Sequence, residues 1–174
     1  GETPADDLSP ITIAAVKGLL TPALQDTVNH INAMTLASER GLRIKEPRAR
    51  VPRDYVNLIA LKYRVGGVER FIAGTLFGKT EPRIVRLDNT RVEIIPEGHL
   101  LICTNQDEPG VLGAIGSRLG TLGINIGGLQ LGRDHVGGQA LSVLNIDQAA
   151  DQKVLTELQL IEHVTSAVYV SLWK

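Results

Sequence analysis

An amide and a carboxylate stand two residues apart in the segment NQDEPGVLGAIG, as Asn105 and Asp107. They alternate with Gln106 at the end of a predicted strand, so their side chains can point the same way. A Pro-Gly pair follows, and then a helix whose free first-turn N–H groups, around Gly110 to Leu112, form a small positive end. A ligand carboxylate suits the helix start and an ammonium suits Asp107, so this corner predicts a site for a small zwitterion.

The helix after this corner carries glycines three or four residues apart, at Gly110, Gly113, Gly116 and Gly120. Each glycine inside a helix costs roughly 1 kcal/mol relative to alanine. Such a pattern indicates a close approach of the backbone to the sheet beneath, to a partner helix or to a ligand, and the sequence leaves these three open. Asn125 follows the helix, where a second edge of the fold or a partner chain could bring it to the site.

Residues 98–174 predict six elements in the order βαββαβ, which is the order of the ferredoxin-like sandwich. The predicted strands are HLLICTN, INIGGLQLGR, GQALSVLNID and VTSAVYVSLW. The predicted helices are PGVLGAIGSRLGTLG and QKVLTELQLI. Helices cover only one face of such a sheet, so we expect the other face and the edge strand to pair with a second copy of the chain.

The first half of the chain predicts two helices. SPITIAAVKGLLTPAL begins with Ser9, a good N-cap, and with Pro10, which suits the first helical position. Pro22 is expected to kink this run or to start a new helix, and NAMTLASERG predicts a second helix that ends at Gly41. Four apolar residues at helical spacing predict the buried face of the first helix: Ile13, Val16, Leu19 and Leu20.

Four segments after these helices alternate apolar and polar residues with the period of a strand: YVNLIALKYRV, ERFIAGTLFG, RIVRL and RVEII. Gly66–Gly67 and Asp88–Asn89 predict turns between them. Pro96 and Gly98 interrupt the pattern, so we place a short linker there. The sequence therefore predicts an α+β fold: a small helix-and-sheet domain with an antiparallel sheet over residues 1–96, then a ferredoxin-like βαββαβ domain over residues 97–174.

Composition limits the partners of the chain. Its net charge is −1 and only 3% of its residues are aromatic, which disfavours nucleic acid. Residues 40–91 hold 13 lysines and arginines against 5 acids, which predicts either a solvated surface or a pocket for a phosphorylated or carboxylated anion. No run approaches the roughly 20 apolar residues of a membrane span. The single cysteine, Cys103, predicts a buried side chain and suits a reducing compartment, so we expect a cytoplasmic protein.

The segment GTLFGKT, residues 74–80, is close to a phosphate-binding loop without matching one. The loop pattern needs a glycine where this chain has Ala73, and Glu81–Pro82 follow where a helix should begin. The segment instead predicts a strand that ends at a glycine turn. The four histidines of the chain are scattered, without metal-ligand spacing or a nucleophile beside them. We therefore expect no catalytic and no metal site.

Two parts of the chain each resemble a known domain family. DEPGVLGAIGSRLGTLGINIGGLQLGR with GGQALSVLNID resembles an ACT domain, a small-molecule sensor of amino-acid metabolism, over essentially all of residues 98–174. LSPITIAAVKGLLTPALQDTVNHINAMTLASERGLRI and GTLFGKTEPRIVRLDNTRVEIIPEGHLLI resemble the intervening, or allosteric-substrate-binding, domain of long-form bacterial D-3-phosphoglycerate dehydrogenases. The resemblance implies that the ACT domain binds L-serine, the pathway product, and inhibits the NAD-linked dehydrogenase.

The resemblance also implies which residues bind the ligand. The serine contacts of the family fall on Asn105, Asp107 and Asn125, and the helix-start amides of Val111 and Leu112 match its carboxylate cradle. The ligand is expected between two ACT domains paired edge to edge in a homo-oligomer, with Asn125 reaching across from the partner. Four basic residues are the candidates for an anion site in the first domain: Lys17, Arg83, Arg86 and Arg91.

The sequence departs from the dehydrogenase in lacking its Gly-x-Gly-x-x-Gly motif and its catalytic His/Glu/Arg set. We therefore expect no cofactor in this segment, and NAD only in the resembled parent enzyme. The chain is either a C-terminal piece of such an enzyme or a free-standing sensor, and its GETP start favours the first. Two alternatives stay open: a regulatory subunit of an L-serine dehydratase, whose Ser-Ser-Ser-His-Thr-Ala-Gly signature is absent, and a dimerisation module without a ligand.

Overall fold

The structure, a computed structural model, describes residues 8–24, 27–47, 55, 57–78 and 80–172. The GETP start, Val56 of the first predicted strand and Trp173 of the last lie outside the described residues. The chain divides into two compact units, one ending at Asn57 and the other beginning at Leu58. Among the described helices, none combines the length and the apolarity that crossing a bilayer requires.

In its described residues, the first unit holds two helices, α1 at Ser9–Leu24 and α2 at Ala33–Glu39. Pro22 lies inside the last turn of α1 instead of ending it. Because Pro22 has no N–H, the helix loses one hydrogen bond to a carbonyl oxygen there. In the same turn, the Thr21 hydroxyl donates to the Lys17 carbonyl oxygen at 2.8 Å. The apolar residues of the two helices form one small cluster, listed here by their buried members: Val16, Leu20, Val28, Ala33 and Ala37. The prediction that Leu19 belongs to the buried face is wrong, because this residue is 42% exposed.

The second unit opens with an antiparallel meander of four strands in the order β1-β2-β3-β4. The strands are β1 at Ile59–Val65, β2 at Val68–Phe77, β3 at Glu81–Leu87 and β4 at Thr90–Ile94. The predicted turns are confirmed: Gly66 and Gly67 both have positive φ, as does Asp88. The phosphate-loop-like segment starts inside β2 and passes into the turn before β3, as a strand end and not as a helix start.

The remaining residues form a second antiparallel sheet in the order β6-β7-β5-β8, with two helices. Its strands are β5 at His99–Gln106, β6 at Ile126–Arg133, β7 at Gln139–Ile146 and β8 at Val164–Ser171. Its helices are α3 at Val111–Thr121 and α4 at Gln152–Gln159. This order of elements and strands confirms the predicted ferredoxin-like βαββαβ arrangement and the α+β class of the chain.

The main core lies between this sheet and its helices. Val111, Ile115 and Leu119 are buried along α3, at helical spacing. Leu101 and Cys103 on β5 are fully buried beneath the helices. Because side chains alternate across a strand, Leu100 and Ile102 face the other side of the sheet.

That other side is covered in part by the first sheet of the same unit. Leu100 and Val143 are 2% and 1% exposed, and they cluster with Ile94 of β4. The two sheets meet where β4 packs on β6: a Cβ on Gly132 would lie 2.6 Å from the carbonyl oxygen of Arg91. β3 and β4 of the same chain therefore cover part of the face for which a second copy was expected, and pairing with a second copy stays a prediction.

This packing bears on the predicted boundary between residues 96 and 97. The compact units place β1–β4 with the ferredoxin-like domain, and the helices α1 and α2 by themselves. The reason is that the apolar residues of β3 and β4 share a core with β5 and β7. The boundary after residue 96 stays a prediction.

Candidate functional site

Asp107 follows the last residue of β5, and its carboxylate is held by its own chain. The Oδ2 atom accepts a hydrogen bond from the Arg133 guanidinium, with Nη1 at 2.9 Å, and another from the Gly137 N–H at 3.2 Å. Within the described residues, no hydrogen bond to the Oδ1 atom is recorded. The side chain is 19% exposed, so one oxygen of this acid is left for a further donor.

The electrostatics of the corner keep this acid ionised. The hydrogen bond from the Arg133 guanidinium, and then the bond from the Gly137 N–H, lower the pKa of Asp107 from its ordinary value. Both bonds favour the charged form of the carboxyl because both donate to it. At neutral pH the corner therefore presents a carboxylate, which is the group that an ammonium needs.

The loop between β6 and β7 closes over this acid and fixes its backbone. The Asp107 N–H donates to the Gly138 carbonyl oxygen at 2.8 Å. The Gln106 amide Nε2 donates to the Gly137 carbonyl oxygen at 2.6 Å. Gly137 has a positive φ of 73°, which lets its N–H turn toward the carboxylate and its carbonyl toward Gln106.

Asn105 lies deeper than expected and is used internally. The residue is 4% exposed. Its Oδ1 accepts from the hydroxyl of Ser142, which is fully buried, with the two oxygens 3.1 Å apart. Its Nδ2 donates to the Gln106 carbonyl oxygen at 2.7 Å. The structure thus gives Asn105 a supporting position under the corner, and a direct contact of Asn105 with a ligand stays a prediction.

The helix α3 begins four residues after this acid, at Val111. Gly110 precedes the helix with a left-handed φ of 92°, which favours glycine. The Val111 N–H reaches only the Glu108 carbonyl oxygen, at 3.4 Å, and the first-turn amides of a helix, here including Leu112, lack intrahelical partners. The structure therefore brings together Asn105, Asp107 and the two helix-start amides.

The glycines of α3 face open space. A Cβ on Gly113 or on Gly120 would meet nothing within 4 Å, and one on Gly116 would meet only Ile126, at 3.9 Å. Close packing against the sheet beneath therefore does not require these glycines. Of the three explanations that the sequence left open, a partner helix and a ligand remain.

Asn125 lies at the opposite end of the sheet. It precedes Ile126, which pairs with Ile146, whereas Arg133 at the other end of β6 pairs with Ala140 beside Asn105. The length of β6 thus separates Asn125 from Asp107 by roughly 25 Å. Its side chain donates to Asp147 Oδ2 at 2.7 Å. One chain does not bring Asn125 to the corner.

The four candidates for an anion site are divided between the two compact units, and a common site for them stays a prediction. Lys17 belongs to α1 of the first unit, and the three arginines to the second. Arg83 donates to Glu81 Oε2 at 3.0 Å and is 16% exposed. Arg86 lies over the Phe71 ring, with Cζ 4.9 Å from its centroid, and it pairs in register with Arg91.

Two cavities lie elsewhere in the second unit. One of about 480 Å³ is bordered by Lys62, Arg86, Glu69 and Asp88, so its two cations face two anions and no net positive charge favours an anion. The other, of about 670 Å³, lies between the two sheets, and its lining includes Ile72, Leu87, Ile102, Leu141 and Val168. Among the described residues, no group of three His, Cys, Asp or Glu is placed to hold a metal ion.

Sequence reasoning missed the residues that hold the corner in place: Arg133, Gly137 and Ser142. The partner of Asp107 depends on the strand register. Arg133 and Asn105 both pair with Ala140 from opposite sides of β7. That register brings the guanidinium to the acid, and no local pattern states it.

Comparison with known proteins places the chain in a family. The model of the D-3-phosphoglycerate dehydrogenase intervening domain matches residues 1–88, and the ACT domain model matches residues 99–162. D-3-phosphoglycerate dehydrogenase of Archaeoglobus fulgidus is 36% identical over 164 residues, which are 93% of this chain and 31% of that protein. The enzyme of that name from Synechocystis is 35% identical, over 94% of the chain and 29% of its own length. That of Bacillus subtilis is 32% identical, over 93% and 31%.

The chain spans less than a third of the length of these curated relatives. The two domain matches confirm the resemblance drawn from the sequence motifs, and they cover α1 to β3 and then β5 to the end of α4. The intervening-domain model alone matches more than half of the residues. The chain therefore belongs to the family of the D-3-phosphoglycerate dehydrogenase intervening domain, joined to an ACT domain.

Proposed function

We propose that this chain is an amino-acid-sensing regulatory and oligomerisation region of a D-3-phosphoglycerate dehydrogenase, and that its effector is L-serine. ACT domains as a class bind amino acids and oligomerise. The names of the relatives favour the dehydrogenase over a serine dehydratase. The NAD-linked chemistry belongs to the enzyme that this region regulates, and we assign no cofactor to the chain itself.

The observation that carries the proposal is the placement of Asp107. Its ionised carboxylate has one oxygen without a recorded partner, and Asp107 lies four residues before the first residue of α3. An ammonium on that oxygen would let the carboxylate of the same ligand approach the helix-start amides of Val111 and Leu112. The pairing of opposite charges on one small molecule matches an amino acid.

Regulation then follows from two copies sharing the ligand. Within one chain, Asn125 lies too far from Asp107 to share a ligand with it. In this proposal a second copy therefore brings its Asn125 to the ligand. A serine held by Asp107 of one ACT domain and by Asn125 of a second copy would favour one relative angle of the two domains. A coupling of about 1–3 kcal/mol between this angle and the catalytic part suffices for feedback inhibition.

Calorimetric titration of the whole chain with L-serine tests the effector. We expect saturable heat with the wild type and none with Asp107→Ala, because the ammonium loses its carboxylate. Glu162→Ala is the matched control, since it removes an exposed carboxylate of the same unit, and it should bind as the wild type does. Equal binding by the wild type and Asp107→Ala would refute this site.

A ligand-free assembly module is the second candidate, and one observation favours it. Asn105 and Oδ2 of Asp107 already have internal partners, while Leu129 and Leu131 on edge strand β6 are 40% and 48% exposed. An edge strand with exposed apolar residues favours pairing between copies. Sedimentation with and without L-serine separates the two: association that ignores serine, with no heat of binding, supports assembly alone.

A further inference from the structure

The Arg133 guanidinium affects which ligands the corner at Asp107 can bind. An inference about its role rests on the proposed amino-acid site. Arg133 ends β6 and donates one hydrogen bond to Asp107 Oδ2. In the described part of the chain, this is the one hydrogen bond recorded for the guanidinium, which has five N–H donors. Its side chain is 51% exposed, so the other donors are accessible to a ligand.

The pair of Asp107 and Arg133 carries no net charge, although each of its members is ionised. An amine that approaches Asp107 Oδ1 is attracted by the carboxylate and repelled by the guanidinium beside it, so the guanidinium weakens the net attraction. A zwitterion offsets this repulsion because its own carboxylate, which has several acceptor sites, can accept from the guanidinium as well as from the helix-start amides of Val111 and Leu112. Planar guanidinium groups bind carboxylates well, often with two parallel hydrogen bonds.

We propose that Arg133 determines specificity: it makes the corner select α-amino acids, which carry ammonium and carboxylate together, over amines of the same size. Asp107 alone would accept any small cation. With Arg133 in place, the ammonium site and the carboxylate site lie side by side, and a ligand gains full affinity only by filling both. Gly137 supports this geometry, because its N–H holds Oδ2 from a second direction.

A purely structural role for Arg133 predicts a different result. If the arginine only fastened the β6–β7 loop to Asp107, its removal would weaken binding of every ligand by one common factor. A role in selection changes the ratio of affinities between two ligands. The ratio is therefore the quantity to measure, with folding checked for each variant by thermal unfolding.

The test compares L-serine with ethanolamine, which is serine without its carboxylate, by chemical-shift titration of the whole chain. For Arg133→Met we expect the preference for serine over ethanolamine to fall by about tenfold or more. Arg133→Lys keeps the charge and should retain much of the preference. Arg118→Met is the matched control, since it removes an arginine paired with Glu157 elsewhere in the same domain, and its preference should equal that of the wild type.

The outcomes separate the two proposals. Serine binding that Asp107→Ala abolishes, together with an unchanged preference in Arg133→Met, overturns the role of Arg133 and leaves the serine site intact. A wild-type chain that binds neither ligand overturns both. Should Arg133→Met fail to fold, Arg133→Gln is a second uncharged variant, and a preference equal to the wild type in that variant overturns the inference as well.

Discussion

Asp107 is the residue on which the proposed chemistry depends, and its neighbours explain its charge. Two donors converge on a single oxygen, one from the end of β6 and one from the following loop. The arrangement stabilises the ionised form and leaves the second oxygen available. Asn105, two residues earlier, has the complementary role of a buried support, bonded to Ser142 on the neighbouring strand β7.

The lowered pKa of Asp107 predicts a pH dependence of stability. Because the folded pKa lies below the unfolded value of about 3.9, the unfolded state binds the proton more tightly, and the stabilisation is lost as the pH falls. The wild type should therefore exceed Asp107→Asn in free energy of unfolding at pH 7 and 5, and this difference should shrink from pH 5 to 3. Urea denaturation at each pH measures it.

Arg133→Met provides the control for that measurement, since it removes the main cause of the shift. In the Arg133→Met background, the Asp107→Asn substitution should change the free energy of unfolding by less, and this change should depend less on pH over the same range. A wild-type advantage that stays constant from pH 7 to 3 would contradict the assignment of the low pKa to Asp107.

At the scale of elements, the contact between β4 and β6 fixes how the two sheets meet. Gly132 on β6 faces Thr90, Arg91 and Val92 of β4 so closely that an added Cβ has no room. Gly128 on the same strand has space, because the nearest atom to its added Cβ, Asn145 Oδ1, is 3.5 Å away. One strand therefore offers both a tight and a loose glycine.

We expect Gly132→Ala to lower the free energy of unfolding by about 1–3 kcal/mol, as overpacking does. Gly128→Ala should change it by less than about 0.5 kcal/mol. Urea unfolding of the two variants and the wild type gives both values. Equal effects of the two substitutions would mean that β4 and β6 do not pack in solution as described.

The elements of the ferredoxin-like domain could be predicted from the sequence because their patterns are local. The burial of Val111, Ile115 and Leu119 follows from helical spacing, and α3 begins just after the Pro-Gly pair. The partner of Asp107 could not be predicted, since it depends on register across β7. The burial of Asn105 follows from the same long-range pairing, and periodicity does not report it.

For the whole molecule, the division of the chain is the least local property. A proline and a glycine between β4 and β5 suggested a domain boundary, yet the residues on both sides share a core. Ile94 before the linker is 1% exposed, and Leu100 just after it is 2% exposed. The proline and the glycine interrupt the strand pattern there, whereas the packing of apolar residues joins the two sheets into one compact unit.

Two fragments test this division. A fragment of residues 58–174 keeps both sheets and should unfold cooperatively. A fragment of residues 97–174 loses β3 and β4 and uncovers Leu100 and Val143, so it should be less stable by on the order of 3 kcal/mol. The exposed apolar face should also bind a hydrophobic dye and promote association. Urea unfolding, dye fluorescence and sedimentation measure these differences.

Val143→Thr makes the comparison sharper, because its expected effect differs between the fragments. In the 58–174 fragment the hydroxyl is buried against Ile94, so the free energy of unfolding should fall by about 1–3 kcal/mol. In the 97–174 fragment the same side chain faces water, so stability should change little while dye binding and association decrease. If the shorter fragment is as stable as the longer one and binds no dye, the boundary after residue 96 is correct and the shared core contributes little.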